Sequence, residues 1–163
     1  MQTVNTSSAS RLQGFSVLAP ADGYLQALNQ APNAVIRQLT SLGFCLRLSA
    51  PHVVSPCAGD ARLEFCPHPC IRLRHSSGLH LRLELPETLL SRYGQGLHWQ
   101  LQQGPVRPGQ PLLTFDPLYL QYKPILSLAV FPHPAIWAEP IAVNRAVQAL
   151  EPCFSIQLAG KNS

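Results

Sequence analysis

Residues 70–85 read CIRLRHSSGLHLRLEL. Odd positions hold Ile71, Leu73, Leu79, Leu81, Leu83 and Leu85, while even positions hold Cys70, Arg72, Arg74, His80, Arg82 and Glu84. Side chains alternate faces along an extended strand, so this period of two predicts a β-hairpin with one buried face. The Ser-Ser-Gly at 76–78 supplies the turn. Both strands bury odd residues, so opposite partners must share parity. One short-loop register pairs Arg72 with His80, Cys70 with Arg82 and His68 with Glu84. Its neighbour sets Arg72 against Arg82, an unfavourable like-charge pair. The first register is therefore expected, with a loop of His75 to Ser77 followed by Gly78.

Just upstream, 66–70 is Cys-Pro-His-Pro-Cys. In an extended chain Cys66, His68 and Cys70 share a face, and the expected register puts His68 across from Glu84. Zinc takes thiolate, imidazole and carboxylate, so Cys66, His68, Cys70 and Glu84 form a candidate ligand set. Against it, ligands two apart converge only where a strand twists or bulges, which Pro67 and Pro69 restrict. Cysteines in strands also serve as small packing residues.

Working outward, VLAPADG at 17–23 and VVSPCAG at 53–59 share Val, Pro and Gly at matching offsets. The echo predicts a duplicated strand–turn–strand unit. PVRPGQPLLTF at 105–115 reads as a third, looser copy, with Pro108-Gly109 at its tight turn.

The composition agrees. The chain has 163 residues, 46% apolar and only 12% charged, with 16 prolines and 10 glycines. That length gives one domain with a real core, and the punctuation favours short strands over a helical bundle. Residues 1–13 read as a disordered leader and 14–163 as the domain. The net charge of +4 reflects 8 acids rather than a run of bases, so a nucleic-acid groove is not supported. No apolar run reaches membrane-spanning length, so no direct membrane insertion is expected. Nothing near the N-terminus resembles an export signal, and the 5 cysteines are odd in number and irregular in spacing. A cytoplasmic location with reduced thiols is the expectation.

From Val17 to Leu158 the chain resembles the glucose-type enzyme IIA of the bacterial phosphoenolpyruvate-dependent sugar phosphotransferase system. The likeness runs through LAPADGYLQAL, APNAVIRQLTSLGFCLRL and VSPCAGDARLEFCPHPCIRLRHSSGLHLRLEL. YGQGLHWQLQQGPVRPGQPLLTFDP is its most specific part. The resemblance implies an all-β fold, an antiparallel β-sandwich or barrel built from a duplicated hybrid motif, in agreement with the repeat. It also implies two histidines facing each other across adjacent strands in a shallow apolar depression. The first corresponds to His68. The second, which accepts the phosphoryl group from the phosphocarrier protein HPr, falls where this chain has Glu84. Pro86 stands where the family has Gly, Glu87-Thr88 match its Asp-Thr one residue early, and Cys66 replaces a Thr.

Phosphoryl transfer through this site needs an imidazole nitrogen held in one tautomer, which a carboxylate does not supply. The catalytic positions are thus His68 and Glu84, and a non-transferring binding or regulatory module is expected. It would dock HPr, a sugar permease or a regulatory protein through Cys66, Arg82, Leu85 and Pro86. Glu84 reads either as a standing imitation of the phosphorylated state or as a relic. Its charge of −1 falls short of the roughly −1.5 to −2 of a phosphoryl group. Three other readings stay open: transfer through His68 with Glu84 orienting its ring, a zinc site at Cys66, His68, Cys70 and Glu84, and a peptidase-like relative. For the last, His80-x-Arg82-x-Glu84 lacks the His-x-His that such cell-wall zinc peptidases carry. No organic cofactor is expected. Trp99 reads as a core residue, and the high apolar content leaves homodimerisation open.

Overall fold

The computed structural model describes residues 13–32, 42–65, 69–90, 95–131, 136–138 and 141–158. The expected leader up to residue 12, together with Cys66 and His68, lies outside them. The strands are β1 (Gln13–Leu18), β2 (Gly23–Ala27), β3 (Gly43–Leu48), β4 (His52–Val54), β5 (Gly59–Glu64), β6 (Cys70–Arg74) and β7 (His80–Glu84). They continue as β8 (Leu97–Trp99), β9 (Gly104–Val106), β10 (Pro111–Phe115), β11 (Ile125–Val130), β12 (Ile136–Ala138), β13 (Arg145–Val147) and β14 (Pro152–Leu158). Among the described residues, two 3-10 turns, η1 (Leu28–Gln30) and η2 (Pro117–Tyr122), and one short helical turn, α1 (Glu87–Leu90), join them. One sheet runs β13-β2-β3-β11-β7-β6-β5-β9, and two smaller ones run β1-β14-β12 and β4-β10-β8. The pairings are antiparallel. The fold is the all-β architecture that the sequence implied.

The duplication is visible in the strand order, which maps onto itself when β13, β2, β3 and β11 exchange with β9, β5, β6 and β7. The same exchange turns β1-β14-β12 into β4-β10-β8. The two turns that carry the sequence echo hold each other reciprocally. Leu18 N–H donates to the Pro56 carbonyl at 2.9 Å, and Val54 N–H donates to that of Pro20 at 2.7 Å. The glycine ending each echo has a steric reason. A Cβ on Gly23 would meet the Arg47 carbonyl oxygen at 2.4 Å, and one on Gly59 that of Arg74 at 2.8 Å.

PVRPGQPLLTF is not a third copy of this unit. It forms β9, a turn and β10, and its counterpart is β13, a turn and β14. In the first, Gln110 N–H donates to Arg107 O at 3.1 Å; in the second, Glu151 N–H donates to Gln148 O at 3.1 Å. Gly109 (φ 83°) and Leu150 (φ 71°) take the same left-handed position. The second member escaped detection because Ala149-Leu150 stands where Pro108-Gly109 announces the first.

The odd face of the hairpin is buried as expected, and Cys70 and Glu84 of the even face are buried as well. Ile71, Leu73, Leu79, Leu81 and Leu83 are all buried in one core with Phe44, Leu46, Leu112, Leu113, Leu126 and Leu128. Each such side chain contributes about 1.5–3 kcal/mol of transfer free energy. The register does not hold. Cys70 lies opposite Glu84, Arg72 opposite Arg82, and Arg74 opposite His80. The loop is Ser76–Gly78, closed by His75 N–H to Leu79 O at 2.9 Å and Gly78 N–H to His75 O at 2.8 Å. Gly78 sits inside it at φ 91°, the left-handed residue that a three-residue hairpin requires. The Arg72–Arg82 pairing is tolerated because each guanidinium turns to its own carboxylate, Arg72 to Glu64 and Arg82 to Glu84, both at 3.1 Å.

The hairpin tip makes the fold sensitive to acid. His75 Nδ1 accepts from Ser77 N–H at 3.1 Å, and its ring stacks on Phe15 with centroids 3.8 Å apart. Burial holds its pKa below the ordinary 6.5. The unfolded chain then binds the proton more readily than the folded one. The stabilisation is complete above about pH 6.5 and is lost as pH falls through the lowered folded value. Urea unfolding at pH 7.5 and 5.5 should show a lower midpoint at 5.5, and the difference should shrink in His75→Gln.

Candidate functional site

The polar face of the hairpin belongs to a longer row. Across β3, β11, β7, β6 and β5 the residues Cys45, Ser127, Glu84, Cys70 and Glu64 stand side by side. Glu84 is at its centre, with Ser127 on one flank and Cys70 on the other. Its carboxylate is buried at 5% exposure. Arg82, two residues earlier on the same strand face, donates from Nε to Glu84 Oε2 at 3.1 Å. Burial on its own would lower the pKa of Arg82. The hydrogen bond to Glu84 and the negative charge around it outweigh that, and the pKa is raised.

Cys70 is fully buried, and burial pushes its thiol up to about 11. It is protonated at neutral pH and poorly suited to attack or ligation. Cys45 Sγ lies 3.7 Å from Ser127 Oγ and donates to Leu28 O at 3.8 Å. Among the described residues no three His, Cys, Asp or Glu side chains are grouped to hold a metal ion. Of the zinc set, Cys70 and Glu84 are neighbours, while Cys66 and His68 fall outside the described residues. On β6 the residue opposite Glu84 is Cys70.

Two residues expected on the docking surface, Leu85 and Pro86, are not at the surface. Leu85 is packed in the core at 8% exposure, and Pro86 is buried beside it. Strand alternation gives the reason for Leu85, the last odd position of the hairpin. Arg82 is also withdrawn, its side chain 14% exposed and tied to Glu84. Among the described residues, Phe65, directly after Glu64 of β5, is an exposed apolar residue at this end of the sheet, 64% exposed. It went unnoticed because the period-two signal in β5 is weak. Trp99, expected in the core, is 37% exposed at the end of edge strand β8.

The other half of the molecule shows the same backbone positions without charge. Ser127 pairs with Cys45 as Arg82 pairs with Arg72, and Ala129 pairs with Gly43 as Glu84 pairs with Cys70. There Cys45 and Ala129 pack with Leu28 and Ala31 into a small second apolar cluster.

No family model and no curated protein matches the chain. Among solved structures it is similar to glucose permease IIA from Mycoplasma capricolum, with a TM-score of 0.74 and 21% sequence identity. The superposition covers 88% of this chain and 96% of that one. Among the described residues no helix is long and apolar enough to cross a membrane. The strand order, the duplicated unit and this likeness together give the chain the fold of a glucose-type enzyme IIA domain.

Proposed function

We propose that the chain is an enzyme IIA-like component of a sugar phosphotransferase system that binds partners without carrying phosphate. The observation behind this reading is Glu84. It occupies the position that the resemblance assigns to the phosphoacceptor histidine, and its carboxylate is buried against Arg82. A carboxylate already bonded to a guanidinium is a poor nucleophile and presents little charge to a partner. That favours a relic over an imitation of the phosphorylated state. The partner classes are HPr, a sugar permease or a regulatory protein, meeting the end of the sheet where Phe65 is exposed. The zinc reading gains nothing from Cys70, whose thiol burial keeps protonated.

The test is the intact mass after incubation with phosphoenolpyruvate, enzyme I and HPr, beside an active enzyme IIA as positive control. An unchanged mass is expected. Gain of one phosphoryl group that disappears in His68→Ala would establish transfer through His68 and end the binding-module reading.

A further inference from the structure

The internal repeat allows one place in the molecule to be compared with its own duplicate. In the first half Tyr24 of β2 lies opposite Arg47 of β3, and in the second Asp60 of β5 lies opposite Arg74 of β6. The Arg47 guanidinium rests 5.3 Å from the centre of the Tyr24 ring, which occupies the space beneath it. Asp60 has no ring, and its Oδ2 accepts instead from Arg62 Nε at 3.2 Å. Arg74 is exposed and makes no ion pair among the described residues. Beside Arg74 lies a shallow hollow of about 450 Å³, lined by Gly59, Asp60, Arg74, His75, Ser76 and Pro105.

The donors in this hollow form a set. His75 Nδ1 accepts from Ser77 N–H, so the neutral ring carries its hydrogen on Nε2. Stacking on Phe15 holds the ring in place. Ser76 adds a hydroxyl, and Arg74 adds a planar fork of N–H groups suited to an oxyanion. The one carboxylate, Asp60, is partly offset by Arg62.

We propose that this hollow, at the tip of the β6–β7 hairpin, binds a tetrahedral oxyanion, the phosphate group of a small phosphorylated compound. The site is separate from Glu84, which lies at the far end of β7, and the proposal does not depend on the function given to Glu84.

The test is a titration of the full chain with inorganic phosphate, followed by amide NMR shifts, against sodium chloride of matched ionic strength. Saturable shifts at Arg74, His75 and Ser76 in the millimolar range are expected. Arg74→Gln should weaken binding about tenfold. Asp60→Asn, which removes the opposing charge, should tighten it roughly twofold to fivefold. Both positions are solvent-facing strand residues, so the variants should fold, and unchanged dispersion of the remaining amides checks this. Shifts no larger than those from chloride, or equal affinity in Arg74→Gln and the unaltered chain, would overturn the proposal. So would an Asp60→Asn variant that binds no more tightly.

Discussion

Replacing Gly23 with alanine is expected to destabilise the protein by about 4 kcal/mol, enough to leave it largely unfolded at 37 °C. The added methyl would lie 2.4 Å from the Arg47 carbonyl oxygen and 3.0 Å from Leu46 Cγ. The carbonyl is backbone in β3, and β3 is paired on its far side to β11, so it has little room to retreat. The duplicate position supplies a graded control. Gly59→Ala approaches the Arg74 carbonyl at 2.8 Å and should cost less, about 2 kcal/mol, since β6 has less far to shift than β3. Urea midpoints for the two variants check the order. Equal and small losses would mean that the strands slide apart easily, and that the repeated glycine has no steric role.

The second large effect concerns the ion pair at the candidate site. Arg82→Ala is expected to cost about 3 kcal/mol, because a carboxylate that is 5% exposed loses its guanidinium while remaining out of water. Replacing both partners with methionine removes the buried charge together with the attraction, and should recover most of that loss. On the same face, Arg62→Ala breaks a pair whose side chains are 71% and 43% exposed, and should change stability by less than about 0.5 kcal/mol. Denaturant unfolding of the three variants tests the contrast. A double variant as unstable as Arg82→Ala would show that Glu84 is needed for its own contacts rather than for its pairing.

The sequence was most legible where burial imposes a period. The alternation identified the hairpin and its buried face correctly, because Ile71, Leu73, Leu79, Leu81 and Leu83 all face one continuous core. Register is a finer quantity. It turned on where Gly78 sits in the loop, and on whether two arginines can stand opposite each other. Two isolated arginines repel across a strand pair, but Glu64 and Glu84 each claim one guanidinium, an arrangement over three strands that one hairpin's sequence does not contain. The first repeat was legible because glycine is required where the strands approach closely. Its companion was half hidden because Leu150 accepts a left-handed turn position in which glycine would be conspicuous. Phe65 was missed for the opposite reason: exposure at a strand end obeys no pattern.

The exchange of β2–β3–β11 with β5–β6–β7 has an evolutionary consequence. A chain that repeats one folding unit begins with two equivalent surfaces, and selection is free to treat them differently. Here one copy became interior: Leu28 and Ala31 close over Cys45 and Ala129, and that surface is withdrawn from solvent. The other copy carries Arg72 and Glu84 at those positions, and Asp60 where the first has Tyr24, on matching backbone positions. One copy thus secures the structure, while the other has been left to diverge chemically. Substitutions at Asp60 and Arg72, away from the buried Arg82–Glu84 pair, should therefore alter binding more than stability, and those at the matching Tyr24 and Cys45 should register as losses of stability.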